Sequence, residues 1–186
     1  MVHLLLFSAI TMALAFTLSS AGKATNRAAF ERTIGDLRLV PQRLTQPLAL
    51  AVLAAESAVV VLIVLGGLVP GTALLRAGFL LALGLLVLFT AVLLSTLARR
   101  LTTSCACFGA TTKPVSGWDV VRNGGLLLCA GAGYWSAVEP TAALHPLPLA
   151  EWGLVAIVAV IFVLIGVQLG EIAQVFKPGV APRPQA

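Results

Sequence analysis

Charge is the scarcest property of this chain. Only 10% of its 186 residues are Asp, Glu, Lys or Arg, against about a quarter in an average soluble domain. With 59% hydrophobic residues and a mean hydropathy of +1.02, the chain cannot cover a water-facing surface. We therefore expect an integral membrane protein. The net charge of +5 does not indicate nucleic-acid binding, because the basic residues cluster between hydrophobic segments, as in cytoplasmic loops of membrane proteins.

Several catalytic and cofactor motifs are also missing. The chain has no Walker-type phosphate loop, no His-Glu-x-x-His and no Gly-x-Ser-x-Gly. Its two histidines, His3 and His145, do not form an intramembrane pair that would hold haem. Three cysteines are too few for a disulfide-rich secreted scaffold. The sequence therefore predicts no bound cofactor and no metal.

Long hydrophobic runs dominate what remains. A spanning helix needs about 20 apolar residues, and such stretches predict an all-α, polytopic transmembrane bundle of about five spans (four to five). The predicted spans are Val2–Ala21, Pro47–Leu68, Thr72–Ala98, Asp119–Val138 (the weakest) and Glu151–Ile172. Residues 1–173 form this domain, and 174–186 are expected to be a disordered tail. The first stretch lacks the basic start of a signal peptide, so we treat it as a helix.

The basic residues predict the orientation. In a five-span arrangement, all of them except Arg76 fall on one side of the membrane. Cytoplasmic loops carry the excess of Lys and Arg, so we expect the N-terminus outside and the C-terminus in the cytoplasm of a bacterial inner membrane. The basic residues on the cytoplasmic side are Lys23, Arg27, Arg32, Arg38, Arg43, Arg99, Arg100, Lys113, Arg122, Lys177 and Arg183.

Cys105 and Cys107 lie one residue apart in a polar loop between the third and fourth spans. A thiolate is the nucleophile in disulfide exchange, and a second nearby thiol resolves the mixed disulfide. A Cys-x-Cys disulfide closes a small strained ring, and strain favours transfer over a permanent crosslink. The pair is a candidate catalytic redox site. The alternatives are an inert pair or a zinc site, which needs about four ligands.

Three further residues are candidates for chemistry or packing. Glu56 is the one acid well inside a predicted span, where an ionisable residue is a functional candidate, and its suggested partners are Arg76 or Arg122. Arg122 follows the cysteine loop and is a candidate either for binding the phosphate of a membrane lipid or for steering the thiolate. Cys129, near the bilayer middle, is interpreted as a packing residue among glycines rather than an electron relay.

The chain resembles the MauE/DoxX-like redox-associated membrane protein family over nearly its whole length. The residues that carry the resemblance are Ala21-Gly22-Lys23, Glu56, Ser104-Cys105-Ala106-Cys107-Phe108-Gly109, Trp118 and Arg122-Asn123. The Cys-x-Cys-Phe-Gly element with the later Arg-Asn is the more specific part.

The resemblance implies a role in maturing methylamine dehydrogenase, whose small subunit is rich in disulfides. It implies help with processing, transport or disulfide formation of that subunit, together with a thioredoxin-like partner. The protein would then be a thiol–disulfide electron relay rather than an ordinary enzyme. Two alternatives remain: a non-enzymatic membrane scaffold or chaperone for the thioredoxin-like partner, and, more weakly, a transporter.

Overall fold

Helices make up every regular element that the structure describes. The computed structural model describes residues 1–37, 41–99, 116–138 and 148–175, and no strand occurs in these ranges. A single 3₁₀ turn, Gln42–Leu44, precedes the third helix. The α-helices are α1 (Val2–Thr25), α2 (Arg27–Asp36), α3 (Thr45–Leu68), α4 (Ala73–Ala98), α5 (Gly117–Val138) and α6 (Leu149–Val175).

Four of these helices, α1, α3, α4 and α6, are long and apolar enough to cross a membrane. The expected all-α polytopic bundle is thereby confirmed. The predicted fourth span, α5, has 22 residues but a more polar start, where Asp119, Arg122 and Asn123 fall within its first two turns. It nevertheless packs within the bundle, against α1, α4 and α6. The predicted fifth span runs on to Val175 as α6.

The first helix lies at the centre of the packing. It contacts α3, α5 and α6, while α4 joins α3 to α5, so α1, α3, α4 and α5 form a four-helix ring. α6 packs on the outside of this ring, against α1 and α5. The core residues come from all four ring helices and include Leu5, Met12, Phe16, Val59, Ile63, Phe79, Leu86, Leu126 and Ala130.

Glycine allows α3 and α4 to approach each other closely after a tight turn. Gly71, in the turn, has a φ of 108°, which a residue with a side chain rarely adopts. A Cβ on Gly66 would lie 2.7 Å from the backbone nitrogen of Leu75, and one on Gly78 would lie 2.8 Å from Ile63 Cγ1. Small residues at such contacts are the usual means of packing helices in a membrane.

The segment after α1 differs from the expected loop. α1 continues past Ala21 to Thr25, so Lys23 belongs to its last turn and is buried rather than placed at the membrane surface. The short helix α2 follows at once and packs against α3. Its Ile34 is buried, whereas Arg27 and Arg32 are exposed. The basic segment is thus partly folded onto the bundle.

Two glycines of α5 give a matched test of this packing. A Cβ on Gly133 would lie 2.5 Å from the ring of Phe79 and 2.7 Å from Ser8 Cβ, whereas one on Gly131 meets nothing within 4 Å. We expect Gly133→Ala to lower the free energy of unfolding by about 1–3 kcal/mol through overpacking. Gly131→Ala should be neutral or slightly stabilising, because Ala favours the helix. Thermal unfolding of the detergent-purified variants measures both, and equal melting of the two would contradict the packing described.

Candidate functional site

A buried ion pair lies between α1 and α3. Lys23 Nζ contacts and hydrogen-bonds Glu56 Oε1, and the two residues are only 2% and 0% exposed. Glu56 lies roughly 16 Å along α3 from its start at Thr45. The end of α1 therefore meets the middle of α3. A charge at such depth is costly unless it is paired, so the pair fixes how these two helices align.

Ser19 completes the pair into a hydrogen-bonded triad. It precedes Lys23 by one helical turn, so both side chains project from the same face of α1. Ser19 Oγ donates to Glu56 Oε1 at 3.0 Å, and Lys23 Nζ donates to Ser19 Oγ at 2.9 Å. The hydrogen bonds from Ser19 and Lys23 to Glu56 therefore both end on one carboxylate oxygen, Oε1. The other, Glu56 Oε2, is buried and has no hydrogen-bond partner among the described residues.

Two aromatic rings face the Lys23 ammonium. Its Nζ lies 4.8 Å from the ring centroid of Phe89 on α4 and 5.4 Å from that of Phe30 on α2. Both distances fall within the range of a cation–π interaction. Phe30 explains why α2 folds back onto the bundle, because its ring covers the ammonium group. The site thus joins α1, α2, α3 and α4 around a single cation.

A small cavity adjoins this triad. It has a volume of about 20 Å³ and is lined by Ser19, Phe89 and Asn123 together with apolar side chains. Asn123, on α5, is 4% exposed, and its Nδ2 donates to Thr90 Oγ1 at 3.4 Å. A cavity of this size admits about one water molecule. The polar lining on two sides, from Ser19 and Asn123, suits such a molecule and links α5 to the triad.

The two arginines suggested as partners of Glu56 have other roles. Arg76 donates from Nε to the carbonyl of Ala137 at 2.8 Å and from Nη2 to that of Val138 at 3.3 Å. These carbonyls belong to the last turn of α5, where backbone acceptors lack intrahelical partners. Arg76 therefore caps α5 from α4. The sequence did not reveal Lys23 as the partner of Glu56, because the predicted position of Lys23 was in the loop after the first span.

Arg122 belongs to a separate polar group at the start of α5. Its Nη1 lies 3.4 Å from Asp119 Oδ1. The other oxygen of Asp119 accepts hydrogen bonds from the backbone N–H of Ser116 at 2.9 Å and from Ser116 Oγ at 3.2 Å. A carboxylate is favourable at the positive N-terminus of a helix. The structure therefore separates Glu56 and Arg122, which the sequence had suggested as partners.

The structure describes one of the three cysteines, Cys129. Cys105 and Cys107 lie outside the described residues, so their predicted role stays a prediction. Cys129 is a free, buried thiol in the core of the ring. Ala130 beside it is fully buried, and Leu126 one turn earlier belongs to the same core. This environment agrees with the interpretation of Cys129 as a packing residue.

Comparison with protein families finds one family model that matches most of the chain. The family model described as methylamine utilisation protein MauE matches residues 1–136, which is more than half of the chain. The chain belongs to the MauE family. This membership links it to methylamine utilisation. The match includes α1 to α4 and most of α5, hence the whole triad, and ends before α6. No curated protein and no solved structure matches the chain.

The triad could have been found from sequence by one signal. Ser19 and Lys23 are spaced by a single helical turn at the end of the first hydrophobic run, and Glu56 is the lone acid well inside the next span. Extending the first span by one turn would have placed Lys23 within the membrane domain. An isolated cation and an isolated anion in neighbouring spans then favour each other as partners.

Breaking the pair should destabilise the protein more than removing both charges. We expect Lys23→Met or Glu56→Met alone to lower the free energy of unfolding by about 3–5 kcal/mol, because one charge stays buried without its partner. The double variant should recover most of this loss, since apolar groups of similar volume replace both ions. Thermal unfolding in detergent measures all three variants.

The exposed Arg27–Glu31 pair on α2 supplies the control. Its side chains are 44% and 29% exposed, and Arg27→Met should cost less than about 1 kcal/mol. If the single variants of Lys23 and Glu56 are as stable as the Arg27→Met variant, the two residues do not form a buried ion pair. Growth on methylamine then distinguishes a structural role from a functional one. If cells with a stable double variant grow, the ion pair is structural. If they do not grow, the pair also takes part in function.

Proposed function

We propose that this multi-pass membrane protein serves a thiol–disulfide pathway that matures the small subunit of methylamine dehydrogenase. The observation that carries the proposal is the Cys105-Ala106-Cys107-Phe108-Gly109 element, in the connection between α4 and α5 of a MauE-family chain. The family supplies the link to methylamine utilisation. The paired thiols supply the kind of reaction.

The proposed reaction is disulfide exchange. A thiolate of the small subunit attacks the Cys105–Cys107 disulfide, giving a mixed disulfide and releasing one cysteine thiolate. The second thiolate of the small subunit then attacks the mixed disulfide, which forms the substrate disulfide and leaves Cys105 and Cys107 reduced. A disulfide of a thioredoxin-like partner reoxidises them by the same exchange, and that partner becomes the dithiol.

Charges at the start of α5 support this reaction. A helix N-terminus and a nearby arginine both lower the pKa of a thiol and so increase its thiolate fraction. Arg122 lies in the second turn of α5 and is held by Asp119. We assign Arg122 as a positioning residue for the thiolate. Glu56 contributes indirectly, by fixing α1 and α3 through Lys23.

Orientation decides how the pathway works. The distribution of basic residues favours a cytoplasmic position for the Cys105–Cys107 loop in the inner membrane, whereas the disulfide-rich subunit is periplasmic. Either the protein carries reducing equivalents across the membrane, or the loop re-enters between helices, or the orientation is inverted. Irregular backbone at membrane depth needs protein around it. These three arrangements differ in the side of the membrane from which the thiols are accessible.

Replacing the loop thiols tests the reaction. We expect Cys105→Ser with Cys107→Ser to abolish disulfide formation in the small subunit and growth on methylamine, because serine cannot exchange disulfides. Cys129→Ala is the matched control and should retain both, since Cys129 lies in the core away from solvent. Alkylation shifts of the small subunit and immunoblots of this protein give the readouts. Normal maturation in the double variant would favour the scaffold instead.

Labelling tests the orientation. In a Cys129→Ala background, cells are first treated with a membrane-permeant reductant, because a disulfide does not react with maleimide. A membrane-impermeant maleimide added to the washed, intact spheroplasts should then leave Cys105 and Cys107 unmodified, and permeabilisation should expose them. The expectation follows from the basic residues that flank this loop. Modification in unpermeabilised spheroplasts would place the thiols on the periplasmic side and reverse the predicted orientation.

A further inference from the structure

A lateral groove separates α5 from α6. It has a volume of about 230 Å³, and Ala15 of α1 forms part of its lining. Glycines widen it on both sides. A Cβ on Gly125 would come within 3.7 Å of Phe162 Cζ, and one on Gly166 within 3.7 Å of Arg122 Cγ. Apart from Arg122, every residue lining the groove is apolar or glycine.

Arg122 gives this apolar groove a charged end. Its side chain is 12% exposed, and its aliphatic part lies beside Gly166. Arginine commonly packs its methylene groups against apolar surface while its guanidinium reaches a polar layer. The start of α5 lies at the same end of the bundle as the start of α3 and the end of α4, where Arg43 and Arg99 are found. That end is the basic end of the described bundle.

The two chemical parts of the groove correspond to the two parts of a phospholipid: the apolar walls to an acyl chain, and the guanidinium to the phosphate. Arginine binds phosphate oxygens through its planar set of donors, and basic pockets between transmembrane helices bind anionic headgroups. The volume is below the roughly 300–1,000 Å³ of pockets that hold whole drug-sized ligands. The groove therefore accommodates only part of a lipid, such as a length of acyl chain.

The negative charge of Asp119 does not prevent Arg122 from binding a phosphate. Its Oδ2 is committed to Ser116, and its charge lies over the positive end of α5. The contact from Asp119 Oδ1 to Arg122 Nη1 is long, at 3.4 Å. A guanidinium has five N–H donors and can serve more than one acceptor. Asp119 instead orients Arg122 at the end of the groove.

We propose that one anionic phospholipid occupies this groove, with an acyl chain between α5 and α6 and its phosphate on Arg122. The lipid would fill the gap between α5 and α6, which contact each other less than α4 and α5 do. The lipid site and the thiol chemistry proposed above both use Arg122. Lipid retention by the purified protein is measured without any disulfide exchange, so either proposal can fail without the other.

Native mass spectrometry of the full-length, detergent-purified protein tests the proposal. Phosphatidylglycerol and phosphatidylcholine with the same acyl chains are titrated separately. We expect one phosphatidylglycerol to be retained in preference to phosphatidylcholine. Arg122→Gln should weaken its retention roughly five- to tenfold, through loss of the cation. Arg43→Gln removes a cation at the same end of the bundle but outside the groove, and should change retention little.

A second pair of variants tests the acyl-chain part. Gly125→Leu fills the groove and leaves Arg122 in place, so it should also displace the lipid, whereas Gly131→Leu on the same helix lies outside the groove and should not. Equal retention of the two lipids, or unchanged retention in Arg122→Gln, would overturn the site. If the Gly125→Leu and Gly131→Leu variants retain the lipid equally, the lipid does not bind in this groove. If Arg122→Gln does not elute as a folded species, the comparison of the glycine variants alone decides.

Discussion

The alignment of this bundle depends on one buried ion pair. Lys23 and Glu56 neutralise each other where neither side chain reaches solvent. An unpaired charge at this depth would be strongly unfavourable, so any shift of α1 along α3 that separates them is opposed. Phe30 and Phe89 cover the ammonium from α2 and α4. The contact between Phe30 and the same cation thus adds to the packing that holds α2, which no hydrophobic run requires, against the bundle.

Around this pair, the helices associate by fit rather than by exclusion of water. Lipid is as apolar as leucine, so close contact between backbones and satisfied polar groups provide most of the association energy in a membrane. Gly66 and Gly78 let α3 and α4 approach closely, and Gly133 makes room for Phe79. Arg76 satisfies the carbonyls at the end of α5 from a neighbouring helix. The bundle therefore has polar contacts at both ends of α5 and a small-residue core between them.

Hydropathy predicted the spans α1, α3, α4 and α6 well, because the length of an apolar run is a direct consequence of bilayer thickness. It also singled out Glu56, since an acid inside such a run is conspicuous. It did not find the partner of Glu56, because pairing depends on the axial offset and rotation of two helices that are apolar on most faces. The helix α2 was missed for a related reason: its stability comes from Phe30 and Ile34 packing on the bundle, not from a span-length hydrophobic run.

The start of α5 joins the two environments that the structure defines. Successive residues of a helix point about 100° apart, so Arg122 and Asn123 face different neighbours. Arg122 lines the groove toward α6, whereas Asn123 bonds Thr90 and lines the cavity beside Ser19. In the sequence, Cys105 and Cys107 precede the start of α5 by 12 and 10 residues. A displacement of the start of α5 would therefore act on the buried triad and on the groove together, which ties the chemistry proposed for the loop to the packing of the membrane domain.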